Sequence, residues 1–377
     1  MSAGPLSGLT IVDFTRLIAG PCAGDLLGAM GAEVVKVEDA KGDPMRGARS
    51  RRAGQGLTAP SFAAYNVHKS SVVLDLKDPR GRAAALRLCE RADAVISAFR
   101  PGVMERLGLG ARDLRARNPR LVVGRLSAFG ETGPERDRGG VDIVLQAESG
   151  LMSVTGTPDG PPLKVGVPII DAASAYVLAL GVVGALLGRE RGTDPGDVSV
   201  SMLDVGLHLQ AQALAEYLES GAEPERAGNS APYAAPADVF MAADGPLVLS
   251  AHLPQHWARL CDLLERPQWH QDQRFSTVDG RVAHREELTA LIEEVLAQQP
   301  AAHWLGLFAA AGLTAGRIRT YAQVTQDPVV EATDVDGSTL RVIRTPLRFS
   351  GWDDTTLSRR IPRTGEHTTT ILGKEET

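Results

Sequence analysis

The stretch LTIVDFTRLIAGPCAGDLLGAMGAEVVKVE (9–38) decides the fold of this chain. LTIVDF (9–14) is a β-branched apolar run typical of a buried strand, and AEVVKVE (32–38) predicts a second strand. Small residues through Ala19-Gly20-Pro21 lead into a predicted helix over roughly 22–30. Two strands joined by a single helix at this spacing predict parallel pairing.

The same alternation continues through the first half of the chain. Further strands are predicted at SSVVLDL (70–76), ADAVISAF (92–99) and RLVVGRLSAF (120–129), with a helix over 79–91. Short strands that alternate with helices are typical of an α/β fold with a Rossmann-like, doubly wound parallel sheet. No GxGxxG motif follows the first strand, so the sequence does not support an ordinary dinucleotide site.

The second half of the sequence predicts a long apolar helix, then a linker, and then a smaller α+β domain. A helix over 172–189 is apolar on most of its faces and is expected to be buried on all sides. A short strand in VSVSML and a helix near 203–219 follow it, and the Gly-, Pro- and Ala-rich stretch 221–239 is interpreted as a linker. Beyond the linker the pattern predicts a strand and then three helices, at 246–253, 254–265, 281–298 and 300–311. The predicted domains are a large one over 1–220, a small one over 221–325, and a C-terminal segment over 326–377 that returns to the large domain.

Composition excludes several classes of protein. The chain has 377 residues, and its formal net charge of -6 argues against a general nucleic-acid binder. The sequence contains no run of about eighteen uninterrupted apolar residues, so no membrane span is expected. The N-terminus lacks the pattern of a secretory signal. The three cysteines lie far apart, which fits reduced thiols in a cytoplasmic enzyme and gives no zinc site.

Asp171 closes the apolar run KVGVPIID at the start of the long apolar helix. One interpretation is an N-cap, which would stabilise the helix by about 1 kcal/mol. The other is a nucleophile: a helix N-terminus favours an ionised carboxylate, and its N–H groups can stabilise a developing oxyanion. The residues leave both interpretations open. Asp142 and Glu148 are open in the same way, since each can simply cap a helix.

Ordered blocks of sequence resemble the class III coenzyme A-transferases of the CaiB/BaiF type. The blocks run along nearly the whole chain, in the order 6–38, RPGVMERLGLG (100–110), 139–171, GDVSVSMLD (196–204) and TGEHT (364–368). The family also contains formyl-CoA transferases and α-methylacyl-CoA racemases. The resemblance implies two-domain subunits that interlock as a homodimer.

Carried over by motif, the resemblance makes Asp171 the catalytic residue, which forms first a mixed anhydride with the acyl group and then a thioester with coenzyme A. It implies no metal and no permanently bound cofactor, because coenzyme A and acyl-CoA are substrates. The positions that match coenzyme A contacts of the family lie after successive strands and in the block near Arg106: Ile18, Ala19, Leu74, Asp75, Lys77, Ala98, Phe99, Arg100, Arg106, Ser127, Ala128 and Phe129.

Three departures from the family narrow the chemistry. Ile18 stands where formyl-CoA transferases have a glutamine, which favours an acid larger or less polar than formate. The family's run of four glycines is replaced by AGNSAPYAAP (227–236), which forms either a mobile cover or a plain linker. Val141 stands where the racemases have a histidine, so the second acid/base group that a racemase needs is missing.

The prediction is therefore an acyl-CoA:carboxylate CoA-transferase that acts on an acyl-CoA donor and a carboxylic-acid acceptor. A racemase-like isomerase is the first alternative, and a coenzyme A-binding protein without catalysis is the second. A dicarboxylate pair is the first substrate class to screen.

Overall fold

The computed structural model describes residues 4–48, 59–194, 196–325, 330–335, 338–352 and 360–373. The chain divides into two compact units. The first contains residues 1–152, 164–222 and 328–377, and the second contains 153–163 and 223–327. The boundaries at 220 and 325 drawn from the sequence stay a prediction about folding domains.

The secondary structure alternates as the sequence predicted in the first half. The strands are β1 Thr10–Phe14, β2 Glu33–Glu38, β3 Lys69–Val73, β4 Ala94–Ser97, β5 Val122–Ser127, β6 Val198–Ser201, β7 Ala237–Ala242, β8 Gly245–Ser250, β9 Thr314–Arg317, β10 Val330–Val335 and β11 Ser338–Ile343. The helices are α1 Ala19–Ala29, α2 Pro60–Ala63, α3 Pro79–Arg91, α4 Val103–Arg106, α5 Ala111–Arg117, α6 Asp142–Glu148, α7 Ile169–Glu190, α8 Met202–His208, α9 Ala211–Ser220, α10 Pro254–Leu263, α11 Val278–Ala283, α12 Arg285–Leu296, α13 Ala301–Ala310, α14 Tyr321–Val324 and α15 Thr368–Leu372.

A six-stranded sheet forms the centre of the first unit. Its order is β3-β2-β1-β4-β5-β6, and each neighbouring pair is parallel. This confirms the predicted parallel α/β sheet. The chain leaves β1 in one direction and returns at β4 on the other side, so the strand order reverses between these two strands. In such sheets a crevice opens at the carboxyl ends of the strands at that point.

Helix α7 packs against the sheet and against α1. Eight of its residues are buried, among them Ile170, Leu178 and Val182, which contribute to the main apolar core. The expectation that this helix is buried on all sides is wrong, because Leu180 is 72% exposed and Leu187 is 50% exposed. Over its 22 residues α7 is also long and apolar enough to cross a membrane, although nearly half of it lies inside the protein.

The predicted helix 203–219 is in fact two helices, α8 and α9. The Gln210 side chain donates hydrogen bonds to the carbonyl oxygens of Gly206 and Ser149, at 2.8 and 2.9 Å. These bonds satisfy carbonyl groups at the end of α8 and let the backbone turn there. The hydrophobic periodicity continues across the break, which is why the pattern alone did not reveal it.

The second unit is an antiparallel sheet, β7-β8-β9, covered by helices. The predicted helix 281–298 is divided at His284 into α11 and α12. Arg281 is 1% exposed, and its guanidinium donates to the carbonyl oxygens of Ala235, Phe275 and His252 at 2.7–2.8 Å. One buried cation therefore joins three loops of this unit.

Candidate active site

A cavity of about 480 Å³ opens at the carboxyl ends of β1, β4 and β5, where the strand order reverses. Eight of the predicted site residues line it: Ile18, Ala19, Ala98, Phe99, Arg100, Ser127, Ala128 and Asp171. Its remaining walls come from their neighbours in sequence and from α6 and α8: Arg16, Leu17, Gly20, Pro101, Leu126, Arg138, Gly139, Gly140, Val141, Val144 and Met202. The fold thus brings together segments that lie more than 150 residues apart.

The loop between β1 and α1 forms one wall. Leu17 holds a left-handed backbone conformation with φ of 70°, which a non-glycine residue rarely adopts. A Cβ at Gly20 would lie 2.3 Å from the Cβ of Thr15, so this turn requires glycine. The tight turn places the backbone of Ile18 and Ala19 beside the cavity.

The loop after β4 carries positive charge into a second, adjoining cavity of about 240 Å³. Phe99, Arg100 and Pro101 line both cavities, and Arg125 and Arg136 line the second. A Cβ at Gly139 would lie 2.4 Å from Nη2 of Arg100, so glycine at this position lets the guanidinium lie against the backbone. Glu105 and Glu131 line the second cavity as well, and Arg125 pairs with Glu131 and Asp197. The donors that this region offers to a phosphate group therefore come from Arg100 and Arg136.

A buried hydroxyl faces the same wall. Ser127 lies at the end of β5, and its Oγ has no hydrogen-bond partner among the described residues. A buried hydroxyl without a partner is uncommon in native proteins. Because Ser127 lines the larger cavity, its position fits a polar ligand that supplies the missing hydrogen bond.

Asp171 is the third residue of α7, which begins at Ile169. The N-cap interpretation is therefore wrong: the N-cap is Pro168, which makes no side-chain cap. Asp142 takes that role from another helix, because its Oδ1 accepts hydrogen bonds from the N–H groups of Ile170 and Asp171, at 2.9 and 3.2 Å. These two N–H groups already have acceptors, so the structure does not support the expected oxyanion site at this helix end.

Burial dominates the electrostatics of Asp171. It raises the pKa of this carboxyl from its ordinary 3.8 to about 7, and the negative charge of Asp142 adds to the rise. The expectation that the helix N-terminus favours the ionised form is therefore wrong in direction. Near neutral pH the carboxylate and the protonated acid are both populated. The ionised fraction is the stronger nucleophile, since its basicity exceeds that of an ordinary aspartate.

Five predicted site residues lie outside the larger cavity. Leu74 and Phe129 are buried in apolar cores, and Asp75, Lys77 and Arg106 are exposed. The sequence did not single out Arg16 or Arg138 as site residues. Arg16 lies two residues before Ile18, and Arg138 lies three residues before Val141. Adjacency in sequence was the available signal, but it does not tell which way a side chain points. Among the described residues, no cluster of three or more His, Cys, Asp or Glu could hold a metal ion.

Comparison with known proteins places these features in a family. Residues 6–368 match the family model described as CoA-transferase family III. The chain is 39% identical to a probable fatty acyl-CoA transferase of Mycobacterium tuberculosis, covering 99% of this chain and 98% of the relative. It is 36% identical to an acetyl-CoA:oxalate CoA-transferase of Acetobacter aceti, covering 93% and 90%. A crystal structure of a CAIB/BAIF family protein from Brucella suis superimposes with a TM-score of 0.87 at 33% identity, covering 100% of both chains.

Proposed function

We propose, from the premise that this chain belongs to CoA-transferase family III and is a CoA-transferase, that Asp171 carries the acyl group between two carboxylic acids. The observation that carries the proposal is the position of Asp171. Its half-buried carboxyl lines the cavity at the carboxyl ends of the parallel strands. An activated carboxylate in this place is suited to covalent catalysis.

The first half of the reaction loads coenzyme A onto the protein. The Asp171 carboxylate attacks the carbonyl carbon of the donor thioester, the C–S bond breaks, and coenzyme A leaves as a thiolate. The product is a mixed anhydride between Asp171 and the donor acid. The thiolate then attacks the Asp171 carbonyl of that anhydride, which releases the donor carboxylate and leaves an aspartyl-CoA thioester.

The second half repeats these steps in reverse with a new acid. The acceptor carboxylate attacks the aspartyl thioester, expels the coenzyme A thiolate and forms a second mixed anhydride. The thiolate attacks the acceptor's carbonyl carbon, which releases free Asp171 and the new acyl-CoA. Each covalent step is easier than a direct exchange, and this series of steps needs no other reactant.

The joined cavities fit the substrate's chemistry. Arg100 and Arg136 can hold phosphate oxygens through bidentate contacts, and Ser127 offers its unpartnered hydroxyl. Ile18, Ala19, Ala98, Phe99 and Ala128 supply backbone and apolar surface along the way to Asp171. Leu74, Asp75, Lys77, Arg106 and Phe129 remain predicted contacts from the family resemblance.

The acids are proposed to be larger or less polar than formate. Ile18 and Val141 line the same cavity as Asp171 and give it apolar walls, with Val141 51% exposed. The relatives' names include a fatty acyl-CoA and an oxalate transferase, so the panel of acceptors contains dicarboxylates of increasing length and medium-chain fatty acids. Succinyl-CoA is the first donor to test.

We also propose that the protein is an interlocked homodimer that acts in the cytoplasm. The supporting feature is the apolar outer face of α7, where Tyr176, Val177, Leu180 and Leu187 are 40–72% exposed. Monomeric proteins rarely leave such a patch in water. Sedimentation velocity at micromolar concentration tests the assembly: a dimer supports it, and a monomer excludes it.

Trapping experiments test the catalytic assignment. The protein is mixed with succinyl-CoA and a carboxylate, quenched with hydroxylamine or borohydride, and digested for mass spectrometry. A hydroxamate or alcohol at Asp171 is expected, and Asp171→Ala abolishes turnover while coenzyme A binding is kept. Retained turnover in that variant removes the assignment. Deuterium exchange at the α-carbon of an acyl-CoA, without any acceptor, would instead favour the racemase-like alternative.

A further inference from the structure

Asp142 is tied to the first turn of α7 although it belongs to α6. One of its carboxylate oxygens accepts hydrogen bonds from the backbone N–H groups of Ile170 and Asp171. Asp142 is not among the residues that line the larger cavity. Its contacts therefore act on the backbone that carries Asp171 and not on a ligand in that cavity.

Gln146 holds the other side of the Asp142 carboxylate. It is fully buried, and its Nε2 donates to Oδ2 of Asp142 at 2.5 Å. Its Oε1 accepts from the N–H of Val165 at 2.8 Å. The amide can make both bonds in one orientation only, so it fixes the rotamer of Asp142. The segment before α7, helix α6 and the start of α7 are thereby joined through one carboxylate.

The other titratable groups around Asp171 are uncharged near neutral pH. Burial raises the pKa of the Cys22 thiol on α1 to about 12, and burial also raises the pKa of the Tyr65 and Tyr176 hydroxyls. The charge of Asp171 contributes to the first two of these rises through its interactions with Cys22 and Tyr65. None of the three groups therefore brings a formal charge to Asp171 at that pH.

Of the residues that the structure describes, three arginines line the cavity with Asp171, and none of them is among the groups that shift the pKa of Asp171. Arg16 pairs with Asp39, and Arg138 pairs with Glu135 and Glu148. Arg100 lines both cavities beside Arg136. Asp142 is the charged side chain that acts on the ionisation of Asp171 within the described part of the chain.

A negative charge beside Asp171 affects the resting and acylated states differently. It destabilises the ionised carboxylate by like-charge repulsion. The mixed anhydride and the aspartyl thioester carry no charge at this carboxyl, so the same neighbour leaves them undisturbed. The repulsion therefore raises the energy of the free, ionised protein relative to the acylated protein, which favours acylation. It also raises the basicity of the Asp171 carboxylate.

We propose that Asp142 is a positioning residue that fixes Asp171 at the start of α7 and makes its carboxylate more reactive by charge repulsion. This inference rests on the proposed role of Asp171 as the acyl carrier. It assigns to α6 a function in catalysis that is separate from lining the cavity.

Asp142→Asn removes the negative charge and keeps the acceptor for the start of α7, but its new NH₂ group faces Nε2 of Gln146, so the hydrogen bond to Gln146 is lost. The test measures the titration of the Asp171 carboxyl by ¹³C NMR in protein labelled at the aspartate γ-carbon, with the signal assigned by Asp171→Asn. We expect the midpoint to fall by about one pH unit. We expect kcat on the alkaline side to fall by roughly three- to tenfold, with KM for acyl-CoA unchanged.

A second variant covers the case in which Asp142→Asn disturbs folding. In Asp142→Asn/Gln146→Glu, the new carboxylate at 146 accepts both from the amide at 142 and from Val165, so the network is complete and the charge lies farther from Asp171. The midpoint of the Asp171 titration in this double variant should also lie below that in the unmodified protein. A folded variant of either kind, with an unchanged Asp171 titration and unchanged kcat, overturns the proposal.

The titration needs no turnover, so the two proposals fail in different ways. If Asp171→Asn keeps full transfer activity, the acyl-carrier role fails whatever the midpoint does. If Asp171→Asn is inactive and the midpoint in Asp142→Asn does not move, the acyl-carrier role stands and the positioning role of Asp142 is excluded.

Discussion

Lys69 donates a hydrogen bond of 2.8 Å to Oδ2 of Asp13, and both side chains are fully buried. The same ammonium donates to the carbonyl oxygen of Pro21 in the first turn of α1 at 2.7 Å. The other oxygen of Asp13 accepts from the N–H and the hydroxyl of Thr15. This pair therefore holds both ends of the loop that forms one wall of the cavity.

Removing one partner of this pair should destabilise the protein strongly. Lys69→Met leaves the Asp13 carboxylate buried without its closest cation, which costs about 3–5 kcal/mol. Asp13→Asn/Lys69→Met removes both charges and should recover part of that loss. Denaturant unfolding of the two variants beside the unmodified protein measures the difference. Equal stability of the single variant and the unmodified protein would show that the pair contributes nothing.

The pH dependence of transfer should follow the ionisation of Asp171. Because burial raises its pKa to about 7, the nucleophilic fraction falls about tenfold for each pH unit below that value. We expect kcat/KM to be level above pH 8 and to decrease with unit slope toward pH 5. Initial rates with succinyl-CoA in buffers of constant ionic strength measure this. A level profile between pH 5 and pH 8 would contradict the raised pKa.

Asp171 should also affect the stability of the fold, with the opposite dependence on pH from that of most carboxylates. Its folded pKa of about 7 lies above its ordinary 3.8, so between these values the folded state binds more protons than the unfolded state. Stability therefore falls as pH rises through that range. Asp171→Asn lacks this effect and should be more stable at pH 8 than the unmodified protein.

The size of that effect is on the order of 2 kcal/mol, once screening of a half-buried group by solvent is allowed for. Thermal or denaturant unfolding of both proteins at pH 5 and pH 8 measures it. The gain from the substitution should already appear near pH 5 and be about two- to threefold larger at pH 8. The reason is that the unfolded carboxyl ionises from pH 3.8 upward, while the folded one stays protonated until about pH 7. A gain that is the same at both pH values would point to a cause other than ionisation.

The segment 227–236, considered as a mobile cover, is held within the second unit. Arg285 donates to the carbonyl oxygens of Ala231 and Ala234 at 2.6 and 2.8 Å, and it pairs with Asp238. Arg285→Ala should raise amide hydrogen exchange across 231–236, because these anchors are lost. Arg274→Ala is the control, since that half-buried arginine pairs with Asp272 and Glu287. Fast exchange of the segment in the unmodified protein would show that it is already mobile.

Much of the fold could be predicted because local patterns encode it. The β-branched runs before residue 130 gave strands whose positions agree with β1–β5, and the helix expected over 79–91 matches α3. Periodicity failed where a side chain interrupts a helix without interrupting the apolar pattern, as Gln210 does between α8 and α9.

The sequence by itself determined the parallel α/β sheet and the family, because strand runs and ordered motifs are local features. It also singled out Asp171, although it predicted an N-cap or a readily ionised carboxylate where the structure has neither. Only the tertiary structure decided that Asp142 caps α7 across 28 residues and that burial opposes ionisation of Asp171. Both depend on which distant groups are neighbours and on how much water is excluded, and neither quantity is encoded in the spacing of residues along the chain.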